Sequence, residues 1–235
     1  MLPKDYEIRD LKDQDRPLLL GFIMQHFYLK EYLLKTYFAK NEDQITEKDW
    51  RTIKEDFETR HKSLVASSSG LIAVHLETQQ IAGVLMYSIA DNPNSTSTID
   101  CKSPNDTRKD PPKSKLLSDF FDLVLRVANS SVDIFQRFPE FKTAMKLNIV
   151  CVDSTHQSRG LFKALVHSAV TLARDRKAPV VCGLFTSSFT HAALEKQGFE
   201  YLKKMNMMSF RDLQGNAIYE GTSKPCEIAT MALVL

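Results

Sequence analysis

The stretch with the most chemical content runs Leu147-Asn-Ile-Val-Cys-Val-Asp-Ser-Thr-His-Gln157-Ser-Arg-Gly160-Leu-Phe-Lys163. It reads as a buried strand that passes through a polar loop into a helix whose first turn carries Arg159, Gly160 and Lys163. A helix N-terminus has backbone N–H groups without partners and the positive end of the helix dipole, so a phosphate placed there satisfies donors that would otherwise need water. Gly160 would let such a ligand approach the backbone closely. Taken alone, the pattern fits either a plain strand-to-helix connection or an anion site for a nucleotide-like ligand. The chain has no GxxxxGK followed by Ser or Thr and no GxGxxG, which speaks against a P-loop or a dinucleotide site.

Other reactive residue types are scattered. Phe27, Tyr28, Tyr32, Tyr37 and Phe38 crowd one segment and make it the candidate aromatic pocket, although helical spacing commits several of them to the core. Of these, Phe27 and Tyr28 are assigned to the site, with Phe189 as a third candidate. His26, His156 and His191 fall in no repeating ligand spacing and are expected to be structural or solvated. Cys101, Cys151, Cys182 and Cys226 form no CxxC pair or Cys/His cluster, so no metal site is expected, and Cys151 and Cys182 read as buried free thiols.

The elements that must position these residues follow from periodicity. Tyr6-Glu7-Ile8-Arg9 alternates as a strand, and Leu18, Leu19, Phe22, Ile23 and Phe27 recur at helical spacing. Trp50, Ile53 and Phe57 mark a second helix, and residues 71–76 and 81–89 read as an antiparallel hairpin. Residues 91–115, rich in Asp, Asn, Ser, Pro and Lys, read as a long surface loop rather than a domain boundary. A helix beginning at Leu116 follows. After the strand at 147–152, Leu161, Leu165, Ala169 and Leu172 lie on one helical face, and Val180 to Phe185 is a further strand. A helix at about 188–197 ends at Gly198, in the position that left-handed caps favour, and Tyr201 to Phe210 and Glu227 to Leu235 read as final strands. The order predicts an α/β (α+β) fold of one domain over 1–235, a mixed, mostly antiparallel twisted sheet of about seven strands with helices on both faces.

The 235 residues, 43% hydrophobic, are enough to bury a core without metal or disulfide support. With 31 basic and 29 acidic residues the net charge is +2, too small to argue for nucleic-acid or membrane binding, so any anion site is local. No segment approaches the ~18 uninterrupted apolar residues of a membrane span, and the start MLPKDYEIRD has no apolar signal core. The expectation is a cytoplasmic monomer. Asn94-Ser95-Thr96 and Asn105-Asp106-Thr107 match the glycosylation pattern but are not expected to be used.

Gln157-Ser-Arg-Gly160-Leu-Phe162 resembles the Gln/Arg-x-x-Gly-x-Gly/Ala motif of the GCN5-related N-acetyltransferases. The strand at 147–152 matches the family strand that runs beside pantetheine, and Ala192 to Phe199 resembles its later helix ending in Gly-Phe. The resemblance implies acetyl-CoA as co-substrate: the backbones of Val150, Cys151 and Val152 would pair with pantetheine, while Gln157, Ser158, Arg159, Gly160, Leu161, Phe162 and Lys163 would surround the pyrophosphate. Phe162 departs from the usual Gly or Ala.

Within that family the chain is most similar to the invertebrate arylalkylamine N-acetyltransferases, which act on dopamine, octopamine, tryptamine and serotonin. His26 to Leu33 resembles their aromatic segment, with Glu31 at the place of the general base, and Phe185-Thr-Ser-Ser-Phe-Thr190 resembles their serine-rich segment. That implies catalytic roles for Glu31, Thr186 and Thr190. Tyr32 replaces a proline, Lys30 an acidic residue, and Thr186 and Thr190 stand for serines. Leu194 takes the place of the tyrosine proposed to protonate the leaving thiolate, which leaves water, Ser187 or Thr190 for that task. A carboxylate suits the chemistry because an alkylammonium, with a pKa of ~10.4, must lose a proton before its nitrogen attacks a thioester, at a cost of roughly 4 kcal/mol at pH 7. The same fold would also serve a polyamine, an amino acid or a protein N-terminus as acceptor, or a non-catalytic acyl-CoA-binding module.

Overall fold

Thr46 starts the longest helix by reciprocal capping. Its Oγ1 accepts the Asp49 N–H at 3.3 Å, and the Asp49 carboxylate accepts the Thr46 N–H at 2.9 Å. Behind that cap Ile53, Phe57, His61 and Val65 recur every four residues and are all buried, which fixes the face this helix turns inward. In the computed structural model the residues described are 3–28, 30–93, 111–129, 131–211, 215–219 and 227–235. Asn94, Asn105, Cys101, Cys226 and most of the predicted 91–115 loop lie outside them.

In chain order the elements are β1 (Tyr6–Asp10), α1 (Arg16–His26), α2 (Tyr32–Lys40), α3 (Glu47–Ser67), β2 (Ser69–His75), β3 (Ile81–Asp91), α4 (Lys115–Asn129), α5 (Ile134–Arg137) and β4 (Thr143–Val152). They continue with α6 (Leu161–Asp175), β5 (Val180–Phe185), α7 (Ser188–Glu195), β6 (Glu200–Asn206) and β7 (Glu227–Val234). The strands form one seven-stranded sheet in the order β1-β2-β3-β4-β5-β7-β6, antiparallel throughout except for the β4/β5 pair.

Helices cover both faces. On one, Leu161, Leu165, Val166 and Ala169 of α6 pack over Leu71, Leu85, Met145, Leu147 and Val181. On the other, Leu19, Phe22 and Ile23 of α1 with Val65 of α3 pack over Ile72, Val84, Met86, Ile149 and Cys151. A second aromatic core, including Tyr37, Phe38, Phe57, Phe120 and Phe121, joins α2, α3 and α4.

Two expectations need correction. The strand expected to run to Phe210 stops at Asn206, whose side chain accepts the Met208 N–H at 2.9 Å and turns the backbone into a short 3₁₀ segment. The helix carrying Leu18 to Phe27 ends at His26, and the helical spacing read from Phe27 to Phe38 belongs to a separate helix, α2, that begins at Tyr32 with Glu31 as its cap. The expected left-handed cap is present at Gly198, φ +88°.

The N-terminal strand is tied to the start of α1 by a partly buried ion pair. Arg9 donates to both Asp15 carboxylate oxygens, at 2.6 and 2.8 Å, and the Lys12 N–H adds a third bond at 2.9 Å. The Arg9 fork holds the Asp15 carboxyl well below its ordinary value, at about 2. Its native pKa is below its unfolded value of ~3.9, so this pair stabilises the fold at pH above ~4 and the contribution is lost as pH falls toward 2. Asp15→Asn should therefore lower stability at pH 7 by about 1–2 kcal/mol in denaturant titrations. The deficit should shrink as pH falls from about 4 toward 2, over which range wild type progressively loses the same interaction.

Candidate active site

The parallel pairing of β4 with β5 covers Met145↔Val181, Lys146↔Cys182 and Leu147↔Gly183, and then the strands part. Beyond that point β4 keeps its antiparallel pairing with β3 through Val152↔Gly83, and β5 keeps its pairing with β7 through Phe185↔Ala229. Two backbone edges therefore face one another across an opening in the middle of the sheet. Where they part, β4 carries an extra residue: Met86 pairs with Ile149 and Tyr87 with Leu147, leaving Asn148 as a bulge. The bulge resets the alternation, so Met145 and Leu147 before it and Val150 and Val152 after it face the α6 side, while Ile149 and Cys151 face α1. Gly183 is needed at the parting point. A Cβ there would lie 2.6 Å from the Phe185 ring and 3.1 Å from the Leu147 carbonyl oxygen.

At the far end of β4 the chain turns into α6 through residues 153–160. Gln157 Nε2 donates to the Val152 carbonyl at 3.3 Å, folding the loop back on its strand. Ser158 and Gly160 have φ of +60° and +82°, and Gly160 stands at the N-cap. Its glycine is required by that left-handed backbone rather than by crowding, since a Cβ would meet nothing within 4 Å. The first N–H satisfied inside the helix is that of Ala164, at 3.0 Å from the Gly160 carbonyl, which leaves the N–H groups of Leu161, Phe162 and Lys163 directed out of the helix end. Arg159 and Lys163 are exposed beside them, whereas the Leu161 side chain is buried and Phe162 packs half-buried against the α6 core. Leu161 and Phe162 can thus offer amides, not side chains, and the donor set suits an oxyanion such as a pyrophosphate.

Glu31 is the N-cap of α2, with extended backbone (φ −61°, ψ 133°). Its Oε2 accepts the Leu34 N–H at 2.8 Å, and its Oε1 accepts the hydroxyl of Thr186, the residue after β5. The structure therefore joins two of the sequence-assigned catalytic residues, 155 positions apart, at one end of the opening. The hydroxyl of Thr190, half-buried in the first turn of α7, makes no hydrogen bond among the described residues.

The aromatic candidates are dispersed. Tyr28 is half-buried with its ring 4.8 Å from that of Phe57, and burial pushes its phenol up to about 12. Phe27 packs against the α1 core with its ring edge toward His61. Phe189 projects from α7 at 85% exposure. Leu194 is fully buried and packs in the core beneath the sheet face that α6 covers. Burial pushes the Cys151 thiol up to about 12, with the Lys30 ammonium opposing it. The three histidines take structural contacts. His156 Nδ1 shares a 2.7 Å hydrogen bond with the Tyr6 hydroxyl, His191 Nε2 donates to the Phe185 carbonyl at 2.9 Å, and His26 Nδ1 lies 3.4 Å from Asp153 Oδ1 without the geometry of a hydrogen bond.

This fold is that of the GCN5-related N-acetyltransferases. Arylalkylamine N-acetyltransferase 2 from Aedes aegypti superposes with a TM-score of 0.75 at 18% identity, covering 98% of this chain and 99% of that one. A Drosophila melanogaster polyamine N-acetyltransferase, which catalyses formation of N-acetylagmatine, gives 0.67 at 15% identity over 98% and 100%. The C-terminal condensation domain of Ebony, in complex with β-alanyl-dopamine, gives 0.66 at 14% identity over the whole of both chains. No family model and no curated protein sequence matches the chain.

Sequence reasoning missed Asn148 and Gly183. The signal for Gly183 was present, since an isolated glycine inside an apolar strand marks close approach of another group. Gly183→Ala should destabilise the protein by about 1–3 kcal/mol through overpacking against Phe185. A denaturant midpoint equal to wild type would show that the ring moves aside freely.

Proposed function

We propose that the chain is an acetyl-CoA-dependent N-acetyltransferase acting on the primary amine of a small arylalkylamine, with Glu31 as general base. The observation that carries the reading is the Glu31 carboxylate, held by the Leu34 N–H and the Thr186 hydroxyl at one end of the opening between β4 and β5. A carboxylate has about four lone-pair sites, so two remain to accept N–H bonds from an ammonium. Acetyl-CoA would supply the thioester. The residues present fit it: the edge of β4 that lies away from β3, at Val150, Cys151 and Val152, for the pantetheine amides, and the amides of Leu161, Phe162 and Lys163 with Arg159 and Lys163 for the pyrophosphate.

On this reading Glu31 takes one ammonium proton, the freed nitrogen lone pair forms the bond to the acetyl carbon, and the C–S bond breaks. The nitrogen, which then carries one proton more than the amide product, gives it up through water, Ser187 or Thr190 to the departing thiolate, since the leucine at position 194 has no proton to donate.

The acceptor class follows from charge. Lys30 adjoins Glu31, is exposed, and acts electrostatically on both Cys151 and His26, so a second cationic group on the acceptor would meet a like charge there. The Tyr28 phenol, at about 12, stays neutral and gives an uncharged wall. Both features support an amine with one positive charge and an apolar body. A polyamine or agmatine is the second reading, favoured by the commitment of Phe27 and Tyr28 to contacts with His61 and Phe57, which leaves less aromatic face for an arene.

Two measurements test this. Gly160→Ala forces a methyl onto a left-handed backbone and into the space a phosphate would fill. The substitution should cost about 1 kcal/mol of apo stability and shrink the melting-temperature rise produced by acetyl-CoA. An undiminished rise would count against the turn.

Glu31→Gln keeps an oxygen to cap α2 but removes the base. With tryptamine as acceptor its kcat/KM should fall roughly 10²–10⁴-fold at pH 7 with acetyl-CoA affinity unchanged. The defect should narrow as pH approaches the amine pKa of ~10. Turnover within a few-fold of wild type at every pH would sink the assignment, and preference for agmatine over tryptamine would favour the second reading.

A further inference from the structure

The end of β5 is held by a side chain for which the chemistry above has no use. His191, 4% exposed, lies in α7 with its ring edge-on to Tyr201, and its Nε2–H donates to the Phe185 carbonyl at 2.9 Å. A carbonyl only accepts, so Nε2 carries the hydrogen. Phe185 is the last residue of β5, two positions past its final pair with β4. Its ring lies back over Gly183, on the side where a Cβ would collide with it.

That carbonyl belongs to the peptide group joining Phe185 to Thr186. The group is rigid and planar, so fixing the direction of its C=O also fixes the plane that holds the Thr186 nitrogen and Cα, the base from which the Thr186 side chain reaches Glu31. The Thr186 hydroxyl donates to Glu31 Oε1. A continuous line of contacts thus runs from the imidazole through one peptide plane and one hydroxyl to the carboxylate. The helix that carries His191 does not depend on the ring's hydrogen bond for its place, because Leu194 (0% exposed) and Phe199 (2%) anchor it to the sheet and the His191 N–H bonds the Ser187 carbonyl at 3.0 Å.

We propose that His191 is a positioning residue for acetyl transfer, acting through Thr186 on Glu31. The inference rests on the reading of Glu31 as general base. His191 touches neither substrate nor cofactor; it sets the hydroxyl that orients the carboxylate, and a donor of similar reach should replace it.

The test is a set of full-length variants assayed by thiol release with acetyl-CoA and either tryptamine or agmatine, whichever turns over. His191→Phe keeps the ring but lacks the donor. It should lower kcat by about 10- to 10²-fold, the scale of a small misplacement of a reacting group, while acetyl-CoA affinity by calorimetry stays within about two-fold. His191→Gln, whose amide nitrogen reaches the same carbonyl, should recover most of the loss. In a Thr186→Val background His191→Phe should add less than about two-fold, because both changes break one line of contacts.

A folded His191→Phe with wild-type kcat overturns the proposal. So does a loss that multiplies in full with Thr186→Val, or a His191→Gln no better than Phe. If the Phe variant does not fold, His191→Met, which also fills the space without a donor, is read in its place. Glu31→Gln separates the two ideas: full turnover there removes the reading of Glu31, while a deficient Glu31→Gln beside an unaffected His191→Phe removes the present inference alone.

Discussion

Three pairs of residues hold β4 against β5, and the opening on which the proposed function rests depends on the pairing stopping there. A sheet normally satisfies its interior backbone groups by continuing each ladder, and unpaired edges are left at the rim. Here β4 remains bound to β3 as far as Val152 and β5 to β7 as far as Phe185, so the two strands are held apart by their outer neighbours. The Asn148 bulge and the Phe185 ring lying over Gly183 mark where they separate. The outcome is unpaired backbone at the centre of the sheet, where a ligand built of amides can pair with it, as an added strand pairs with an exposed edge. The left-handed turn at Ser158 and Gly160 then brings the free end of α6 to the far end of the same strand. One opening thus presents a strand edge along its length and the amide end of a helix at its far end.

Glu31 shows how the structural role of a cap and the proposed chemical role could share one side chain. Asp, Asn, Ser and Thr are the usual N-caps because their short side chains reach back to the first turn. A glutamate can cap with one oxygen and still extend the other, and Glu31 does so, with Oε2 on Leu34 and Oε1 on Thr186. The cap fixes the carboxylate without burying it: Glu31 remains partly exposed and keeps lone pairs for a substrate. A shorter acid would cap α2 equally well but would draw back from Thr186.

Local signals made much of this legible in the sequence. The β4 strand, the polar turn and the apolar face of α6 are contiguous, and their order alone identifies a helix end that could take an anion. The Thr46 cap and the Gly198 terminus are local as well. Nonlocal geometry was hidden. Leu147-Asn-Ile-Val-Cys-Val reads as a nearly continuous apolar strand, and only the pairing with β3 shows that Asn148 is bulged and that the faces exchange after it. Helical spacing was legible from Phe27 to Phe38, but not the break between α1 and α2 that makes Glu31 an N-cap. The contact between Glu31 and Thr186 joins the α1–α2 break to the end of β5, and nothing in either segment specifies the other.

Charge placement around the opening bears on which amine the site would accept. An ammonium entering beside Glu31 exchanges water for a carboxylate already fixed by two donors, so little reorganisation is needed when its proton moves. Lys30 limits that attraction. At about 4 Å two like charges near a protein surface repel by several kcal/mol before salt screening, and the effect decays with distance and ionic strength. A monoamine can place its single charge on the Glu31 side and its body against the neutral Tyr28 ring, whereas a diamine must also carry its second charge past Lys30 or out to solvent. Reach therefore matters as much as hydrophobicity, and among diamines the longer chain, with its far charge in water, would be the better tolerated.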